Sequence, residues 1–139
     1  MVKLFLGEAG SGKTKKMLEM ANTEAETTTG EIVFIEPTPK HLHQLHRDIR
    51  FISTEEFQIS CTNSVYGLLC GLISANYDIN TIYLDSLDKI IPTIDESVVD
   101  FIELVDTLSE KREFTIIIAF NVDDSTHIED KLKKYLPSI

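Results

Sequence analysis

The chain has 139 residues, 42% of them hydrophobic and 26% charged, with a formal net charge of −10. That length and balance suit one folded domain spanning 1–139 and argue against a disordered chain. The acidic excess disfavours nucleic acid as a partner, and no apolar run approaches the ~18 residues of a membrane span.

The first apolar run, Val2–Leu6, reads as a strand and leads straight into Gly7-Glu8-Ala9-Gly10-Ser11-Gly12-Lys13-Thr14. This segment matches G-x-x-x-x-G-K-S/T in full, after a strand and before a helix, the context the pattern requires. Glycines let the backbone curl so that successive N–H groups converge on phosphate oxygens, and the helix start adds its positive dipole end. Lys13 is expected to neutralise β- and γ-phosphate oxygens, and the Thr14 hydroxyl to coordinate Mg²⁺. A nucleoside triphosphate with Mg²⁺ is therefore the implied ligand, cradled by Gly7, Glu8, Ala9, Gly10, Ser11, Gly12, Lys13 and Thr14. ATP is favoured over GTP because no Asn-Lys-x-Asp guanine motif occurs. The residues before Gly7 are too few for a signal-peptide core, so a cytoplasmic location is expected. Cys61 and Cys70 fit that as buried or half-buried free thiols.

Gly30 ends the segment after the first helix, and Ile32–Ile35 is the second strand, tipped by Glu36 before Pro37 and Pro39. Leu42, Leu45 and Ile49 mark a short helix, with His43, His46, Arg47 and Arg50 on its opposite, solvated face. A metal site at His41, His43 and His46 lacks a fixed carboxylate or cysteine to complete it. Phe51–Thr54 is a short third strand. Val65, Leu68, Leu69, Leu72 and Ile73 repeat at helical spacing, with Asn63 or Ser64 as cap and Gly67 and Gly71 placed for close packing on a sheet. Thr81–Leu84 ends in Asp85, the Walker B pattern, whose carboxylate would hold Mg²⁺ or a water bound to it, opposite Thr14. Val98, Phe101, Ile102, Val105 and Leu108 form the next helix, with Thr93 and Glu96 as a capping box. Phe114–Phe120 is the fifth strand. Ile128, Leu132, Tyr135 and Leu136 mark a last helix, with Thr126 and Glu129 as its capping box. Three of the strands are continuous apolar runs, as expected when helices cover both faces of a parallel sheet. Alternating strands and helices predict a three-layer α/β/α sandwich with a five-stranded, mostly parallel sheet, and its ligands at the carboxyl ends of the strands.

The order of these features resembles the P-loop NTPase superfamily, in particular the RecA/KaiC-like ATPase core. Ser86 stands where many P-loop ATPases place a catalytic Glu after the Walker B Asp. In RecA/KaiC-type ATPases the water-activating Glu comes from the tip of the strand after the P-loop helix, and Glu36 occupies that place. Tyr83-Leu84-Asp85-Ser86-Leu87-Asp88 is similar to the family's Walker B segment, and Thr115–Asn121 to the strand that ends in a polar γ-phosphate sensor, here Asn121. The resemblance implies strand order 3-2-4-5-1, catalytic roles for Lys13, Glu36 and Asn121, and Asp85 and Thr14 as Mg²⁺ ligands. The stretch after Asn121 has room for one helix, so the further strands and DNA-binding loops of recombinases and hexameric helicases are not expected. Arg47, Arg50 and Arg112 are the arginines from which a neighbouring subunit could supply an arginine finger.

Three functions remain open on the sequence: a RecA-like ATPase acting in a homo-oligomer or with a protein partner, a small kinase of the thymidine-kinase-like type, and a nucleotide-dependent binding protein with little turnover. The kinase reading lacks a Glu after Asp85, the zinc-binding lasso cysteines and an arginine-rich lid.

Overall fold

The computed structural model describes residues 1–123 and 128–137. Its strands are β1 (Val2–Gly7), β2 (Glu31–Glu36), β3 (Arg50–Ser53), β4 (Ile79–Leu84) and β5 (Thr115–Asn121). All pairings are parallel, in the order β1-β5-β4-β2-β3; read from the β3 edge, the order is 3-2-4-5-1. The helices are α1 (Lys13–Thr27), α2 (Thr62–Ala75), α3 (Leu87–Ile90), α4 (Glu96–Arg112) and α5 (Ile128–Lys131). This is the α/β fold with an all-parallel five-stranded sheet expected from the strand–helix alternation. Among the described residues, no helix is long and apolar enough to cross a membrane.

The continuous apolar runs are resolved by the pleat. Successive side chains leave a strand on opposite faces, so Ile82 and Leu84 enter one core while Tyr83 enters the other, and Ile116, Ile118 and Phe120 part from Ile117 and Ala119 in the same way. The larger core packs β-strand residues against α2, α4 and the shorter α3 and α5, through Val65, Leu69, Val98, Ile102 and Leu132 among others. The smaller core lies under α1, where Met17, Leu18 and Ala21 meet Ile32, Phe34 and Tyr83.

Several local expectations change. Leu42, Leu45 and Ile49 do not share an α-helix. Pro39–Gln44 is a 3₁₀ turn, Leu42 is exposed, and Ile49 is buried at the entry to β3. Thr38 is held extended before Pro39, which opens the turn, and Leu45 returns to extended backbone and ends it after Gln44. The cap of α2 is Cys61, exposed and reciprocally bonded with Ser64, so that thiol is not a core residue. The cap of α4 is Asp95, which accepts from the Ser97 amide at 2.9 Å, in place of Thr93. Gly67 and Gly71 face open space, with no close approach to the sheet. The expected last helix divides into the four residues of α5 and a 3₁₀ turn at Lys133–Tyr135. Thr126, His127 and Asp124 lie outside the described residues.

One polar link ties α1 to the sheet's interior. Glu24 accepts from the Thr81 hydroxyl at 2.6 Å and the Tyr83 hydroxyl at 2.8 Å, and both donors belong to buried residues. Replacing Glu24 by Ala leaves two hydroxyls without this partner, at a cost of about 1–3 kcal/mol each where no water enters. The expected outcome is a clear drop in urea midpoint for Glu24→Ala, with a smaller additional loss when Tyr83→Phe is added than Tyr83→Phe causes in the wild-type background.

Candidate functional site

Parallel strands place all their carboxyl ends along one edge, and the pairing register sets which tips are neighbours. Gly7 of β1 lies opposite Asn121 of β5, and Ile35 of β2 opposite Leu84 of β4. Glu36 and Asp85, one residue further on, therefore stand side by side, and the Asp85 amide donates to the Ile35 carbonyl at 2.8 Å. Glu36 is the last residue of β2, and Asp85 directly follows β4.

The Gly7–Thr14 segment leaves the end of β1 and enters α1. Gly10 and Gly12 take φ of +80° and +85°, backbone that L side chains rarely adopt, so these two positions need glycine for the chain to curl as it does. The Lys13 ammonium lies back across the loop, donating to the Glu8 carbonyl at 2.7 Å and the Ser11 hydroxyl at 3.0 Å. Thr14, in the first turn of α1, donates its hydroxyl to the Asp85 carboxylate at 2.9 Å. This contact joins residues 71 positions apart. A cavity of about 320 Å³ opens here, lined by Gly10, Lys13, Thr14, Asp85, Asp88 and Asn121 among others.

Asn121 reaches the cavity in a fixed pose. Its amide N–H donates to Asp88 at 3.0 Å and its side-chain amide to the other oxygen of the same carboxylate at 3.3 Å. Asp88 thus acts on the β5 tip and is not a free acidic surface residue. Ser86, between Asp85 and α3, takes φ 60° and ψ 48° without being glycine; such left-handed backbone costs of order 1 kcal/mol and marks a sharp departure of the chain after Asp85.

Glu36 lies elsewhere than the cavity's lining. It is 3% exposed, and both its oxygens are engaged by one residue: Oε1 accepts from the His41 backbone N–H at 3.0 Å, and Oε2 lies 2.8 Å from His41 Nδ1. Periodicity offers no cue to this pairing, because His41 falls outside any helical face; the signal lies in the two prolines at the turn that brings the chain back within five residues. The 3₁₀ turn carrying His41 is pinned to α1 by Asn22, whose side chain donates to the Gln44 carbonyl at 2.8 Å and accepts from the His46 amide at 2.7 Å. His43 and His46 do not join this cluster.

Asp85 is 2% exposed. Burial raises its carboxyl above the usual range, and the neighbouring Glu36 charge adds to the rise, while the Thr14 hydroxyl, His41 and a backbone N–H oppose it. The oxygen donors of Thr14 and Asp85, one hydroxyl and one buried carboxylate, suit a hard cation such as Mg²⁺.

The fold and this edge define an α/β domain whose first strand runs through a glycine-curled loop into a helix. Comparison with solved structures finds likenesses to the fold. The flagellar accessory protein FlaH from Methanocaldococcus jannaschii shares the fold at a TM-score of 0.59 and 13% sequence identity, over 97% of this chain and 69% of that one. No family model matches the sequence, and no curated protein matches it.

A carboxyl raised by burial penalises the folded state when ionised. Asp85 therefore favours folding below its unfolded pKa, and that contribution is lost as pH rises through the higher folded pKa. Asp85→Asn removes the penalty while keeping the acceptor for Thr14. The expected outcome is a higher melting temperature than wild type at pH 7 for the free protein, with the gap narrowing toward pH 4.

Proposed function

We propose that this chain binds Mg²⁺·ATP at the Gly7–Thr14 loop and hydrolyses it slowly, or on activation by a partner, as a RecA-like ATPase. The observation that carries the reading is the 2.9 Å contact between Thr14 and the buried Asp85, made beside a glycine-curled loop at the N-terminus of a 15-residue helix. Backbone N–H groups of Gly10–Lys13 and the dipole of α1 attract the phosphates. Lys13 exchanges its contacts to Glu8 and Ser11 for β- and γ-phosphate oxygens. Thr14 and Asp85 would hold the magnesium ion, which supplies charge neutralisation between the phosphates when bound.

Asn121, fixed by Asp88, is positioned to report the γ-phosphate. Glu36 is the residue proposed to orient the attacking water. In the free protein its carboxylate is bonded twice to His41, so that role requires one of its oxygens to become available. Slow turnover by the chain alone is the expected consequence. Charge stabilisation supplied in trans is worth several orders of magnitude in related phosphoryl transfer, which favours action in a homo-oligomer or with a protein partner. The likeness to FlaH supports the fold on which this reading stands and carries no claim about flagella here.

Two variants test the proposal. Lys13→Ala is expected to lose about 2–4 kcal/mol of ATP affinity with the fold intact, the scale of a charge-assisted contact to phosphate. Calorimetric titration decides this, and wild-type affinity in a folded Lys13→Ala would remove the loop from nucleotide binding. Glu36→Gln is expected to bind ATP and release phosphate far more slowly than wild type at high protein concentration. Unchanged release would take Glu36 out of the mechanism. Tight binding with no release by wild type would instead favour a nucleotide-dependent binding protein.

A further inference from the structure

We propose that Glu36, His41 and Asp85 form a binding site for a divalent transition-metal ion of the zinc and cobalt class. One donor atom from each of the three side chains lies within 4.8 Å of the others. They come from three separate elements: the tip of β2, the 3₁₀ turn after it, and the residue following β4. The three donors are near enough to converge on one ion. His41 Nδ1 and Glu36 Oε2 are hydrogen-bonded at 2.8 Å in the free protein, and a small opening would bring them to the edge of roughly 3.4 Å between ligands of a tetrahedral ion with bonds of about 2.1 Å.

Charge makes the same argument independently. Glu36 and Asp85 are 3% and 2% exposed, and they face each other. Buried carboxylates are stable when paired or bound to metal. Their neutralising neighbours are few: Thr14 offers a hydroxyl, His41 one backbone N–H and one imidazole, and the Lys13 ammonium is turned to Glu8 and Ser11. A ligating imidazole is neutral, so two carboxylate ligands would leave a charge that one dication cancels. The imidazole is what sets the class of ion. An all-oxygen set suits magnesium or calcium, whereas adding a ring nitrogen favours zinc, cobalt, nickel and copper.

An entry path and room for water are present. His41 borders a second cavity of about 530 Å³ between α1 and the 3₁₀ turn, and Asp85 borders the first. The trio stands between the two, so water can fill the remaining coordination positions. Asn22 fixes the turn that presents His41, as a supporting residue outside the ligand set. The site shares Asp85 with the proposed Mg²⁺ position but is defined by His41, and it does not depend on nucleotide.

The test uses the full chain without nucleotide, titrated with Co²⁺ and followed by visible absorption, with Zn²⁺ as competitor. The expected result is one Co²⁺ per chain, displaced by Zn²⁺, with affinity at least about tenfold weaker in His41→Ala, since even outer-shell partners contribute that much. His43→Ala is expected to bind as wild type does. Circular dichroism of each variant shows that it is folded, and His41→Asn serves in place of His41→Ala if the latter is not. Absence of Co²⁺ binding by wild type overturns the proposal. So does binding that survives in the His41 variant and is lost in His43→Ala, which places the ion on the exposed histidines. Because no ATP is present, failure of the ATPase reading leaves this outcome unaffected.

Discussion

The buried contact between Thr14 and Asp85 is the constraint around which the polar half of this molecule is arranged. It exists only because α1 begins at the end of β1 and β4 ends two strands away, with β5 between them. A sheet with both faces covered by helices leaves little room for charge along its faces, where Glu24 is met by two hydroxyls; most polar groups approach it at its ends. The five strands run the same way, so one end collects Gly7, Glu36, Asp85 and Asn121 while both cores stay apolar. The helices then differ in what they contribute. α2 and α4 seal one face, whereas α1 seals the other and also brings its N-terminus and Thr14 to the edge.

Concentrating carboxylates there works against stability. Asp85 and Glu36 are both almost fully withdrawn from water, and nothing in the apolar cores requires them. Ser86 adds a left-handed backbone at the same place. Unfavourable burial and backbone strain that occur together, on the strand ends and next to a cavity, are the pattern of a site whose geometry is kept for ligand contact. By contrast Glu24, equally charged, accepts two hydroxyl hydrogen bonds, borders no cavity of the edge and links α1 to β4. The difference between those carboxylates lies in their surroundings: Glu24 accepts from neutral donors, and Asp85 faces a second carboxylate.

The sheet was legible because its signals are strong and local. Ile32–Ile35, Ile82–Leu84 and Ile116–Phe120 are apolar without interruption, which only a strand buried on both faces tolerates. The glycine-rich segment between β1 and α1 carries its own pattern, and Asp85 gained meaning from its place at the end of an apolar strand. What the sequence hid were interactions set by short-range chain direction. Leu42, Leu45 and Ile49 have helical spacing, yet Leu45 takes extended backbone, and the short turn opened by Pro39 carries His41 back onto Glu36. Cap choice was misread because Asp95 and Cys61 each sit two or three residues before or after the residue whose type suggested a cap, and local backbone geometry decides between them. The hold of Asp88 on Asn121 left no local signal, because the two are 33 positions apart.

The net charge of −10 sharpens what the edge can bind. A polyphosphate approaching this protein meets a repulsive surface overall, and near Asp85 and Glu36 it meets two buried carboxylates. The attraction that remains is local: the N-terminus of α1, the Lys13 ammonium, and Lys15 and Lys16 in the first turn. Lys16 lies over the Phe5 ring, its ammonium 4.6 Å from the ring centre. These groups balance a phosphate chain only in part once the carboxylates are counted. On the proposed reading, a free triphosphate would be a poor ligand for this edge, and a triphosphate carrying a divalent cation a better one. The cation would change Asp85 from a repulsive neighbour into a contributing ligand, and the Thr14 hydroxyl is already directed at the atom that would share it. The metal dependence proposed for this edge thus rests on charge placement across the sheet edge as a whole.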